Sequence, residues 1–172
     1  FVGSIATAVM MLFTLQYTFG GGAVGLNALN IANAKCSLGF MQALALGIMC
    51  NALVCLAIWL CFSARTTTDK ILSIIFPIAA FVAAGFEHSI ANFYLIPLGM
   101  LLQSLDGVGQ ALPAITWAGF AHNGLPVILG NLVGGAVLVG LVYHVIYQRS
   151  AGARSLPSEA GKGSEPGRTE AT

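Results

Sequence analysis

Charge is what this sequence has least of. Seven Lys and Arg and six Asp and Glu are spread over 172 residues, against 57% hydrophobic residues and a mean hydropathy of +0.86. That balance excludes an ordinary soluble domain, and a formal net charge of +1 without a basic patch argues against nucleic acid as a partner. The cysteines Cys36, Cys50, Cys55 and Cys61 lack the close paired spacing of a zinc or redox site and read as small apolar fillers. The opening text, FVGSIATAVMMLFTLQYTF, has neither a basic leading region nor a small-residue cleavage site, so it reads as a span with a clipped beginning rather than a signal peptide. What these absences leave is a bundle of membrane helices, with spans expected at about 1–19, 38–63, 71–102 and 125–147.

One charge stands out. From 71 to 102 the only ionised side chain is Glu87, followed directly by His88. Ionisable groups inside a membrane are costly and mark functional sites by default. A continuous helix over 71–102 would reach roughly 48 Å against a hydrocarbon core of about 30 Å, so it must tilt or break. Gly85 marks the expected break, and Pro77 lies one to two turns before it. Irregular backbone at membrane depth survives where protein buries it or where it lines a wet cavity. Phe81, Gly85, His88 and Asn92 recur at helical spacing and share one stripe: a bulky apolar gate, a gap, a titratable group and an amide. The plainer alternative is that Glu87 and His88 form a satisfied polar pair that glues helices together.

Elsewhere the signals are weaker. Gly20, Gly21, Gly22 and Gly25 end the first run, and the segment 26–35 reads as a polar-flecked connector closing at Lys35. A lone lysine beside a membrane entrance usually snorkels to water. In the next span Asn51, Val54, Cys55 and Ile58 define one face, where an asparagine often serves only as an interhelical hydrogen bond. Arg65 and Lys70 place the 64–70 loop on the cytoplasmic side, with Arg149 and Arg154 on that side too and Lys35 opposite. The stretch 103–124 is rich in turn formers, with Trp117 interfacial and Asp106 and His122 as solvated loop residues. Pro126 would then sit in the first turn of the last span, Gly130, Gly134 and Gly135 would allow close helix approach, and His144 would be interfacial. Residues 148–172 are rich in Gly, Ser, Pro and charge and read as a disordered cytoplasmic tail.

Taken together, GFEHSIANFYLIPLG at 85–99, CNALVCLAIW at 50–59, PVILGNLVGGAVLVGLVY at 126–143 and Lys35 before the second span resemble the signature of the formate/nitrite transporter family. The resemblance covers roughly 1–147, with several motifs in the family's order and spacing. It implies an all-α membrane protein, an aquaporin-like helical bundle with a transmembrane helix broken between Gly85 and His88, representing the last four of six spans. It also implies a homopentamer in the cell membrane, multi-pass, with a cytoplasmic C-terminus and a pore for small monovalent anions in each protomer. The other interrupted helix expected of an inverted repeat, which in the family carries the selecting loop, has no counterpart here.

On that resemblance formate is the first expected substrate, with nitrite and hydrosulfide as alternatives and protons as a partner. His88 would protonate or polarise the anion, lowering the cost of burying its charge. Glu87 would either orient His88 or accept backbone N–H groups at the break. Phe81 and Val54 would be hydrophobic constrictions, Asn92 and Asn51 amides around the chamber near His88, and Lys35 a vestibule charge that draws anions by its field. No cofactor or metal is expected, since a catalytic metal needs about three protein ligands and no third stands near His88. The rivals are a membrane-embedded metal enzyme and a structural membrane subunit without transport activity.

Overall fold

The computed structural model describes residues 1–105 and 112–154, and Asp106 and residues 155–172 lie outside them. Among the described residues seven α-helices follow in order: α1 (Val2–Phe13), α2 (Ala23–Cys36), α3 (Phe40–Ser63), α4 (Thr67–Ala83), α5 (Ser89–Gln103), α6 (Trp117–Leu132) and α7 (Val142–Arg154). A π-helix, Val133–Leu141, joins α6 to α7 without interruption. Among the described residues two helical stretches are long and apolar enough to cross a membrane, Phe40–Ser63 with 24 residues and Trp117–Gln148 with 32.

Apolar length alone does not set these boundaries. The first run leaves helical geometry at Leu15, whose φ is +52°, and a 3₁₀ turn at Gln16–Thr18 leads into Gly20, Gly21 and Gly22, all at positive φ. The segment expected as a connector is instead the 14-residue helix α2, which buries Gly25, Leu29 and Ala32. Its mixed composition reflects burial against protein on one side, mainly on α5. Thr66 caps α4 reciprocally with Asp69, each side chain bonding the other's backbone N–H at 3.1 Å. Helical geometry then stops at Ala83 and resumes at Ser89, with Gly85 at φ +67° in between.

The final span begins earlier than its prolines and glycines suggest. Thr116 accepts from the Gly119 N–H at 3.2 Å and starts α6 at Trp117, so His122 is helical and Pro126 lies inside the helix rather than in its first turn. The helix continues past 147, and 148–154 extend α7.

Two packing units result. Ala8, Leu29, Ala32, Ile96, Leu98, Leu102 and Ile115 form a core between α1, α2 and α5. The other unit joins α3 to α6 and the π-helix through glycines. A Cβ on Gly130 would overlap the Leu44 carbonyl, and one on Gly134 the Ile48 carbonyl. Many large apolar side chains face outward, Met41, Phe62 and Phe76 among them at more than 70% exposure, as suits surfaces meeting lipid or other spans.

Candidate functional site: the break between α4 and α5

The interruption is held from outside itself. The Glu87 N–H reaches the Leu46 carbonyl of α3 at 3.4 Å. Asn131 of α6 accepts from the Ser89 N–H at 3.0 Å and donates to the Glu87 carbonyl at 3.0 Å and the Gly47 carbonyl at 2.9 Å. The Glu87 and Ser89 N–H groups and the Glu87 carbonyl, freed by the break, are thereby satisfied by protein.

His88 is the N-cap of α5, and its Nδ1 accepts from the Ala91 N–H at 3.4 Å. A neutral imidazole that accepts at Nδ1 carries its proton on Nε2. The ring stacks on Phe81, with centroids 5.8 Å apart and planes 23° from parallel. Both rings line a cavity of about 630 Å³, with Phe1, Ser4, Thr7 and Tyr94 on its other walls. Ile90 and Ala91 of the first turn of α5 also border it, so the positive end of that helix dipole faces the cavity.

Glu87 turns elsewhere. Its Oε1 pairs with Lys35 Nζ at 2.8 Å, and its Oε2 accepts from Asn92 Nδ2 at 2.6 Å and Asn123 Nδ2 at 3.4 Å. Asn92 also donates to Asn123 Oδ1 at 2.7 Å, and Asn123 donates to the Lys35 carbonyl at 2.9 Å. Glu87, Asn92 and Asn123 are all buried, so this is a low-dielectric network whose charge is neutralised by one ammonium. A second cavity, about 420 Å³, opens beside it between Lys35, Gln42, Gly85 and Glu87.

The expected site residues thus fall into three places. Phe81 and His88 meet at the larger cavity. Lys35, Glu87 and Asn92 meet in the buried network, because α2 is packed against α5, which brings its last turn onto the break, and Lys35 also borders the smaller cavity. The Glu87 carboxylate takes neither of the two roles open in the sequence, since its partners among the described residues are three side chains. Asn51 spends its amide on the Asn131 carbonyl at 2.6 Å, and neither it nor Val54 lines the cavity at His88. Gly135 leaves room for that amide, since a Cβ there would overlap Asn51 Nδ2.

Two residues central to the site, Asn123 and Asn131, went unread in the sequence. Their signal is the one that drew attention to Asn51: an amide within an apolar, glycine-rich run. Among the described residues no three of His, Cys, Asp and Glu gather closely enough to hold a metal, and the four cysteines are free.

Comparison with known proteins identifies the family. The family model described as formate/nitrite transporter matches residues 1–145. The formate channel FocA of Escherichia coli K12 is 40% identical over 158 residues, covering 86% of this chain and 55% of that protein. A probable formate transporter of Methanothermobacter thermautotrophicus is 45% identical over 112 residues, covering 64% of this chain and 37% of that protein. The chain spans about half the length of the curated relatives it matches most extensively. Among solved structures, a pentameric formate channel with formate bound superposes with a TM-score of 0.79 at 44% identity, over 85% of this chain and 61% of the other. An ion channel of the same family gives 0.68 at 35% identity, over 84% and 54%. These relatives are named as channels and transporters rather than enzymes, and this all-helical chain belongs to the formate/nitrite transporter family.

Proposed function

We propose that this chain supplies a wall of a membrane pore for a small monovalent anion, formate first, and that His88 meets the anion there. The observation that carries the reading is the His88 ring stacked on Phe81 at a cavity bordered by the first turn of α5. Stripping water from an anion is costly. The α5 N-terminus offers a fixed positive potential, and Nε2–H offers a donor aimed away from the helix cap. Either a hydrogen bond or a transferred proton then lowers the charge the anion carries past the apolar walls. Phe81 narrows the passage and disfavours hydrated ions. Formate is favoured over nitrite and hydrosulfide because the matched channels are named for it. Assembly as a homopentamer follows the solved formate channel, which is pentameric, and a cytoplasmic C-terminus follows from Arg65, Lys70 and Arg149.

The test is anion flux into liposomes by the native protein and by His88→Ala, with formate, nitrite and hydrosulfide over a pH series. Formate-selective flux whose pH dependence flattens in the variant is expected. Unchanged selectivity and pH dependence in His88→Ala would sink the role of the histidine, and no flux from an intact, well-folded native protein would sink the transport reading.

A further inference from the structure

We propose that Asn131 is the positioning residue of the site: one side-chain amide of α6 fixes the backbone on both sides of His88 and thereby aims its imidazole. The inference rests on the role proposed for His88 and adds the device that sets its orientation.

The geometry is specific. The peptide group before His88 ends in the Glu87 carbonyl, which takes a hydrogen bond from Asn131 Nδ2 at 3.0 Å. The peptide group after it carries the Ser89 N–H, which donates to Asn131 Oδ1 at 3.0 Å. The planes of those two peptides define φ and ψ of His88, observed at −109° and 118°, so one amide holds both torsions. The remaining Nδ2 hydrogen goes to the Gly47 carbonyl at 2.9 Å, which ties the bracket to α3. All the side-chain hydrogen-bonding groups of a nearly buried amide are then in use, and only a group with a donor and an acceptor at this spacing fits. With the backbone fixed, the bond from the Ala91 N–H to Nδ1 and the stack on Phe81 leave the ring one orientation and Nε2 as its free edge.

Two variants separate aiming from mere folding. Asn131→Ala removes the whole bracket. Ser89→Pro removes, of the three bonds of the bracket, only the one from the Ser89 N–H, at the first position of α5 where proline is tolerated, and His88 already has the extended torsions that a residue before proline adopts. The readout is ¹⁵N NMR of histidine-labelled native protein, with the His88 signals identified by their loss in His88→Gln, beside formate flux between about pH 5 and pH 8. One neutral tautomer, protonated on Nε2, is expected in the native protein. Both tautomers are expected in each variant, with formate flux lower by roughly tenfold to a hundredfold and an altered pH profile. Native His88 signals and a native pH profile in folded Asn131→Ala would overturn the proposal. Should that variant fail to fold, the same result in Ser89→Pro would overturn it. A native protein without formate flux, whose His88 signals still change in the variants, would remove the transport reading and support the positioning role.

Discussion

Lys35 and Glu87, 52 positions apart in the chain, form an ion pair of 2.8 Å with side chains only 15% and 5% exposed. Removing one partner of such a pair leaves an uncompensated charge in a low-dielectric setting. Lys35→Met is therefore expected to destabilise the protein on the order of 3–5 kcal/mol. The double variant Lys35→Met with Glu87→Gln should recover much of that loss, since the substituted side chain is neutral and its carbonyl still accepts from Asn92 and Asn123. Thermal midpoints in detergent for the single and double variants check this, and equal midpoints would contradict it.

Phe81 is half-buried, and its ring forms one side of the cavity at His88. Phe81→Ala is expected to raise anion flux severalfold and to admit anions larger than formate, because an apolar constriction discriminates by width and by dehydration. Flux of formate and acetate into liposomes measures both effects.

Gly134 lies where α6 has passed into the π-helix, and its missing side chain lets the Ile48 carbonyl and the Ala52 N–H of α3 come close. Gly134→Ala should force the helices apart at a cost of about 1–3 kcal/mol. Gly3, with nothing near its missing Cβ, is the matched control and should tolerate alanine. The comparison is a pair of melting curves.

Asp69 tests the start of α4. The Thr66 hydroxyl and backbone N–H hold its carboxyl below the usual carboxylate range. A carboxylate with a lowered folded pKa adds stability above its unfolded value, and that contribution is lost as the pH falls through the folded value. The stability difference between the native protein and Asp69→Asn should thus be present at neutral pH and vanish in acid. A difference that grows on acidification would refute the capping role.

Much of this protein was legible in one dimension. Scarce charge and long apolar runs identify a membrane bundle because burial in hydrocarbon tolerates little else, and a glycine before an isolated Glu-His pair identifies an interruption because a straight helix would overshoot the bilayer. The motif around 85–99 pointed to the family that the comparisons establish. The sequence could not say which polar groups meet. On the resemblance Asn51 and His88 both read as chamber residues, yet Asn51 makes the interhelical bond that a lone membrane asparagine often makes, to the Asn131 carbonyl, while His88 faces the cavity. Lys35 read as a vestibule charge on the family resemblance alone, and only the packing of α2 on α5 shows its partner, Glu87. Spacing along a helix determines which side chains share a face. Which face meets which neighbour depends on how closely the glycines of α3 and α6 let backbones approach, and that contact also placed Asn131 across His88.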